Sequence, residues 1–210
     1  MARTGDRHGR VPAEHPKGGA AGGKCLAGPV RGYVKLSQAA HAFGFDFRDK
    51  TVLDIGSSTG GFTQYALDQG AKQVISVEKG TNQMIKPLRY DPRVDLHEKT
   101  DIFNFRPHQL PDVIVADVSF LSLTKVLKYT KIHLARSDTA FLVMLKPQFE
   151  AQLHQLNQGV IKNNKIRREI IKNFENWLKN NNFVIVDKYD NDLKGKTGNR
   201  EKFYYLTLAK

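Results

Sequence analysis

From residue 51 onward, short runs of Val, Ile and Leu alternate with longer stretches in which apolar positions return every three or four residues. The runs are "TVLDI" 51–55, "QVISVE" 73–78, "DVIVAD" 112–117, "AFLVML" 140–145, "FVIVDKY" 183–189 and "KFYYLTL" 202–208. They are nearly continuous in apolar residues, as expected of strands whose two faces are both covered by helices. Helices are predicted around 61–69, 81–89, 122–134 and 165–180, preceded by a first helix over "YVKLSQAAHAF". In the last of them Ile166, Ile170, Phe174, Trp177 and Leu178 form one apolar stripe, while Lys165, Arg168, Lys172 and Lys179 lie largely off it. A further strand fits just ahead of Asp101. The pattern predicts an α/β domain with a doubly wound, mostly parallel, seven-stranded sheet, its last two strands joined as a hairpin by the "KGKTGNRE" turn.

Residues 1–29 break this pattern. They hold Gly, Ala, Pro and basic residues without apolar periodicity, so a flexible Gly-rich basic tail is expected ahead of one domain over 30–210. Across the 210 residues, 33 Lys and Arg against 21 Asp and Glu give a net charge of +12. Such a balance favours contact with polyanions and makes nucleic acid the leading partner class. Cys25 is the only cysteine, which excludes an intramolecular disulfide, and the seven histidines show no HExxH spacing, so no metal is expected. No run reaches the 18 apolar residues of a spanning helix, and "MARTGDRHGR" lacks the apolar centre of a signal peptide. A cytoplasmic protein without membrane contact is expected.

The chemistry concentrates in "VLDIGSSTGGFT" 52–63, a predicted strand running into a glycine-rich turn. In an open α/β sheet ligands bind beyond the carboxyl ends of the strands, and the first strand-to-helix turn is a favoured place. A phosphate-binding loop needs a lysine where Phe62 stands, and a dinucleotide fingerprint needs a glycine where Ser58 stands. A nucleoside ligand without a pyrophosphate remains. Glu78, ending the second run, is placed to accept hydrogen bonds from both ribose hydroxyls. S-adenosylmethionine fits best: Asp54 faces its amino group directly or through water, and Asp101 meets the adenine unless it only caps a helix. Gly56 is expected to make the sharp reversal, and Gly60 and Gly61 to let backbone approach the ligand and the next helix start close to the sheet.

"DIGSSTGGFT", "GTNQM", "LRYDPRV", "ADVSFLSL" and "LKPQFE" closely resemble the methyltransferase domain of the TlyA (hemolysin A) family, a branch of the FtsJ-like ribose 2′-O-methyltransferases. The similarity runs from about Arg31 to the C-terminus. It implies a Rossmann-like, class I fold and an S-adenosylmethionine-dependent enzyme acting on ribosomal RNA or ribosomal subunits. The cofactor would be held by Asp54, by the turn of Gly56, Ser57, Ser58, Thr59, Gly60, Gly61 and Phe62, and by Glu78, Asp101 and Asp117. Where the family has "SRGG" before its first lysine this chain has "VRGY", and Glu78 replaces the usual Asp. The S4-type RNA-binding domain that commonly precedes this domain has no room in the first 29 residues. RNA contact is therefore expected from basic residues such as Arg31, Lys86, Arg89, Arg167 and Arg168, or from a partner.

FtsJ-like enzymes carry a Lys-Asp-Lys-Glu tetrad, and the resemblance matches it to Lys35, Asp117, Lys146 and Glu201. A ribose hydroxyl is a poor nucleophile until its proton is held or removed, whereas the methyl donor is already activated, so alignment supplies most of the catalysis, about 7–11 kcal/mol. Lys146 is the expected base. Its neutral form is favoured by Lys35 and opposed by Asp117 and Glu201. The alternatives for Lys146 are a purely structural ion pair with Asp117 or Glu150, and for Lys35 a surface position. Phe120 or Phe149 is expected to stack on a base or to pack in the core. Ser119 and Ser122 lack a GxSxG elbow and are expected to cap the following helix. The competing functions are a catalytically silent RNA-binding or ribosome-assembly module, a methyltransferase with a non-ribose acceptor, and a membrane-active hemolysin.

Overall fold

A computed structural model of the chain describes residues 30–191 and 198–209. The predicted tail, with Cys25, and the first half of the "KGKTGNRE" turn lie outside the described residues. Seven strands form one sheet in the order β3-β2-β1-β4-β5-β7-β6. They are β1 (Thr51–Ile55), β2 (Gln73–Val77), β3 (Val94–His97), β4 (Val113–Ala116), β5 (Ala140–Leu145), β6 (Phe183–Asp190) and β7 (Lys202–Leu208). The first five run parallel, and β7 lies antiparallel between β5 and β6, so the doubly wound, mostly parallel sheet and the closing hairpin are as the sequence predicts.

Among the described residues six helices flank the sheet: α1 (Arg31–Ala42), α2 (Gly61–Asp68), α3 (Lys86–Arg89), α4 (Leu123–His133), α5 (Pro147–Glu150) and α6 (Asn164–Asn180). Alternate residues of each central strand feed opposite cores. Leu53, Ile114 and Val143 pack with Val126 and Leu127 of α4 and Phe174 and Leu178 of α6. Val52, Val115 and Leu142 pack with Leu36 and Ala39 of α1 and Phe62 and Ala66 of α2. Each such fully buried branched side chain contributes about 1.5–3 kcal/mol over its exposed state, which makes β1, β4 and β5 the rigid floor of the molecule.

The 81–89 helix is corrected by the structure to four residues, Lys86–Arg89. Asn82 takes a left-handed φ of 54°, and Pro87 sits in the first turn of α3, where its missing N–H costs no intrahelical bond. A helix begun at 81 would place that proline in its interior. The role expected of Gly61 also changes: a Cβ there would lie 2.6 Å from the backbone N of Tyr33 and 2.9 Å from Gly32 Cα. Gly61 lets α1 cross α2 at backbone contact, and that crossing carries Lys35 to the end of the sheet.

Candidate active site

Strand register decides which residues meet. Ile55 is level with Ala116, so the next residues outward, Gly56 and Asp117, are neighbours. Leu145 is level with Lys202 across the antiparallel β5–β7 pair, so Lys146 leaving β5 and Glu201 entering β7 sit side by side. All these points lie at the carboxyl end of the parallel strands, where a cleft of about 690 Å³ opens. Lys35, Asp117, Lys146 and Glu201 line this one cleft together with the turn Gly56–Thr59, Phe120 and Phe149.

The four charged groups form two pairs. Lys35 Nζ donates to Glu201 Oε2 at 2.5 Å, and these two residues are only 6% and 3% exposed. Lys35 is therefore not at the surface: burying either charge alone would be costly, and each offsets the desolvation of the other. Lys146 Nζ lies 2.6 Å from Asp117 Oδ1 and donates to Ser119 Oγ at 2.8 Å. The Lys146–Asp117 contact is a close ion pair that holds Asp117 Oδ1 against the ammonium. Of the two structural pairings weighed for Lys146, the one with Asp117 forms, whereas Glu150 turns to α4.

The glycine-rich turn is built for close approach. Gly56 has a φ of +79°, and a Cβ on it would stand 3.2 Å from the carbonyl of Asp117. Ser58 is also left-handed, Gly60 begins α2 at a φ of 89°, and Phe62 is buried with its edge on the cleft. Ser57 Oγ and Gln148 Oε1, both from cleft-lining residues, are buried without a hydrogen-bond partner. Buried polar atoms are normally satisfied, so these two have capacity for a further polar partner.

Of the carboxylates expected to hold the cofactor, Asp117 lines this cleft, whereas Asp54, Glu78 and Asp101 stand apart from its wall. Asp54 is buried under the turn and accepts from Thr63 Oγ1 at 2.6 Å. Burial pushes its carboxyl up to about 7 against the pull of Thr63, and the charges of Asp117 and Glu78 push the same way as burial. Glu78 accepts the N–H of Ser58 at 2.9 Å on one oxygen and that of Gly80 at 2.7 Å on the other, so it braces the turn and keeps lone pairs for further donors. Asp101 caps the short 3₁₀ turn Ile102–Asn104 by accepting from Phe103 N at 3.1 Å, and it pairs with Lys79 at 3.1 Å. These contacts hold its carboxyl below the usual range, and its oxygens are engaged in the capping role weighed as the alternative.

Several details escape sequence reasoning. Ser122 occupies the N-cap position of α4 without capping it; Glu150 accepts the N–H of Leu123 at 2.6 Å and the hydroxyl of Ser122 at 2.7 Å. Nothing local in "LKPQFE" signals that contact, because its partners lie 27 and 28 residues earlier. Phe120 is 89% exposed at the cleft, at a φ of 62°, with its ring 5.1 Å from that of Phe149, so Phe120 is not core packing. Among the expected RNA contacts Arg31 lines the cleft, whereas Arg89 is tied to Glu98 and Arg167 to Asp190. Among the described residues no helix is long and apolar enough to cross a membrane, and no cluster of three or more His, Cys, Asp or Glu occurs that could hold a metal ion.

Residues 29–208 match the FtsJ-like methyltransferase family. The 23S rRNA (cytidine-2′-O)-methyltransferase TlyA of Campylobacter jejuni is 34% identical over 177 residues, which cover 83% of this chain and 69% of that protein. Hemolysin A of Brachyspira hyodysenteriae is 36% identical over 182 residues, covering 83% of this chain and 74% of its own length. A solved structure named as a hemolysin, from Streptococcus thermophilus, superposes with a TM-score of 0.82 at 31% identity over 90% of this chain and 70% of that one.

Proposed function

The chain belongs to the FtsJ-like methyltransferase family, and from that premise we propose that it transfers a methyl group from S-adenosylmethionine to a ribose 2′-hydroxyl of ribosomal RNA. The observation that carries the reading is the convergence of the Lys35–Glu201 and Lys146–Asp117 pairs on one cleft with the Gly56–Thr59 turn. The TlyA relative is named for cytidine, and 2′-O-methylcytidine is the expected product.

The residues of the turn fit the cofactor. Ser57 Oγ lacks a partner, Glu78 keeps acceptor capacity for ribose hydroxyls, and Asp54 is a buried acid ready to face a cationic group. S-adenosylmethionine supplies a methyl group already activated on a positively charged sulfur. Lys146 is the base: in its neutral form Nζ accepts the proton of the 2′-hydroxyl and later passes it to water. Asp117 and Ser119 fix the position of Nζ, and the buried Lys35–Glu201 pair holds the floor of the acceptor pocket. Phe120 stacks on the base of the acceptor nucleotide, with Phe149 behind it. Positioning of this kind supplies most of the rate.

The test is transfer of labelled methyl from S-adenosylmethionine to purified ribosomal subunits and to naked ribosomal RNA, followed by nucleoside analysis. A 2′-O-methylated nucleoside formed by the wild type and absent with Lys146→Ala, at retained cofactor affinity, supports the reading. A base-methylated product replaces the acceptor, and a fully active Lys146→Ala removes Lys146 from the mechanism.

A further inference from the structure

Next to the catalytic cleft a smaller cavity of about 230 Å³ lies between the start of α6 and the segment entering β7. Its wall carries Lys162, Arg167 and Arg200, the amides of Asn164 and Asn199, and Pro147. Two of these residues are chain neighbours of the proposed machinery: Pro147 follows Lys146, and Arg200 precedes Glu201. The cavity therefore opens one residue away from the cleft along two adjacent chain segments.

The charge in this wall is one-sided. Among the described residues three cations line it and no carboxylate does. Asp190 draws Arg167 at 3.2 Å and Lys202 at 2.9 Å, but among the described residues neither Lys162 nor Arg200 has a carboxylate partner. Arg167 Nε is buried and makes no hydrogen bond, although its other edge is occupied by Asp190. A buried donor left unsatisfied is costly, and an acceptor in the cavity would recover that cost. The wall is also held in place. Asn199 accepts from Ile161 N at 3.1 Å and donates to the carbonyl of Gly159 at 2.9 Å, which ties the loop before α6 to the approach to β7.

We propose that this cavity is a phosphate subsite that takes a backbone phosphate of the substrate RNA beside the acceptor nucleotide. The inference rests on the RNA reading above and deepens it. A phosphodiester offers two unbridged oxygens with a full negative charge, which matches a guanidinium edge, a second guanidinium and an ammonium around a small polar space. Because Pro147 and Arg200 are covalently joined to Lys146 and Glu201, a phosphate seated here sets how far the neighbouring ribose reaches toward Lys146 Nζ. The subsite acts on substrate register, and its removal is expected to raise KM for RNA more than it lowers kcat.

The experiment uses the full chain, a fluorescein-labelled single-stranded oligoribonucleotide of mixed sequence, and fluorescence anisotropy over a salt titration. The variants are Lys162→Ala/Arg200→Ala and Arg200→Glu, checked by thermal melting and by S-adenosylmethionine affinity, since both side chains lie away from the glycine-rich turn. The expected result is a plot of log affinity against log salt whose slope is shallower by about 0.7 for each phosphate no longer neutralised, with about tenfold weaker binding at low salt. Methylation of ribosomal RNA should show the matching rise in KM. A wild type that binds and methylates RNA, beside a folded double variant of unchanged affinity and slope, overturns the subsite and leaves the proposed function standing. A wild type that binds no RNA overturns both.

Discussion

Glu150 caps a helix that begins 27 residues before it in the chain, its carboxylate accepting the N–H of Leu123 at 2.6 Å. The same carboxylate takes the Ser122 hydroxyl at 2.7 Å, so α5, which leads away from Lys146, is fastened to α4, which follows Phe120. Removing a helix cap costs about 0.5–2 kcal/mol, and here it also frees two loops of the cleft from each other. Glu150→Ala is expected to lower stability by about 1–2 kcal/mol in urea unfolding and to reduce methyl transfer at unchanged cofactor affinity. Glu150→Gln, which keeps an acceptor, should recover most of both.

The Lys35–Glu201 pair should separate folding from chemistry. Both side chains are buried, so Lys35→Met alone strands a carboxylate and is expected to cost about 3–5 kcal/mol. Replacing both partners by apolar residues, Lys35→Met with Glu201→Leu, removes the stranded charge and should restore much of the stability while leaving transfer abolished. Denaturant melts and methyl-transfer assays on the wild type and the two variants read the two effects independently.

Asp54 gives the free protein a stability that depends on pH in a definite direction. Its folded carboxyl titrates at about 7 against an ordinary value of 3.8, so between those values the folded chain holds a proton that the unfolded chain has released. Stability therefore falls as pH rises across that window and levels off above about 7, by at most about 4 kcal/mol. Asp54→Asn should flatten this part of the profile and make the free protein more stable at pH 8. An unaltered slope in the variant, measured by thermal melting from pH 4 to 8, would assign the effect to another group.

Phe120 combines near-complete exposure with a left-handed backbone, a combination that a fold alone does not reward. Phe120→Gly should hold or raise the melting temperature because it relieves that conformation. Without a stacking face, kcat/KM for RNA should fall by about 1–3 kcal/mol, or roughly five- to 150-fold. A variant equally active on ribosomal RNA would show that the acceptor base does not rest on this ring.

The sheet was legible because its strands are short, apolar and evenly punctuated, and because parallel strands buried on both faces leave few other ways to satisfy their backbone groups. The family motifs marked Asp117 and Lys146 at strand ends, where register alone brings them to the cleft. Lys35 and Glu201 were named by resemblance, but their pairing across 166 residues has no local signal. The 81–89 segment shows the opposite failure: apolar spacing suggested nine helical residues, while Asn82 and Pro87 limited them to four.

The amino-acid sequence by itself determined the class of fold, the glycine-rich turn and the types of charged residue at the ends of β1, β4 and β5, because periodicity and backbone permissiveness are local properties. Tertiary structure alone decided that Gly61 serves the α1–α2 crossing, that Glu150 and not Ser122 caps α4, and that three cations line one cavity with Pro147. Each of these depends on segments far apart in the chain being packed to within a few ångströms, and packing of that kind is set by the sum of burial over the whole sheet.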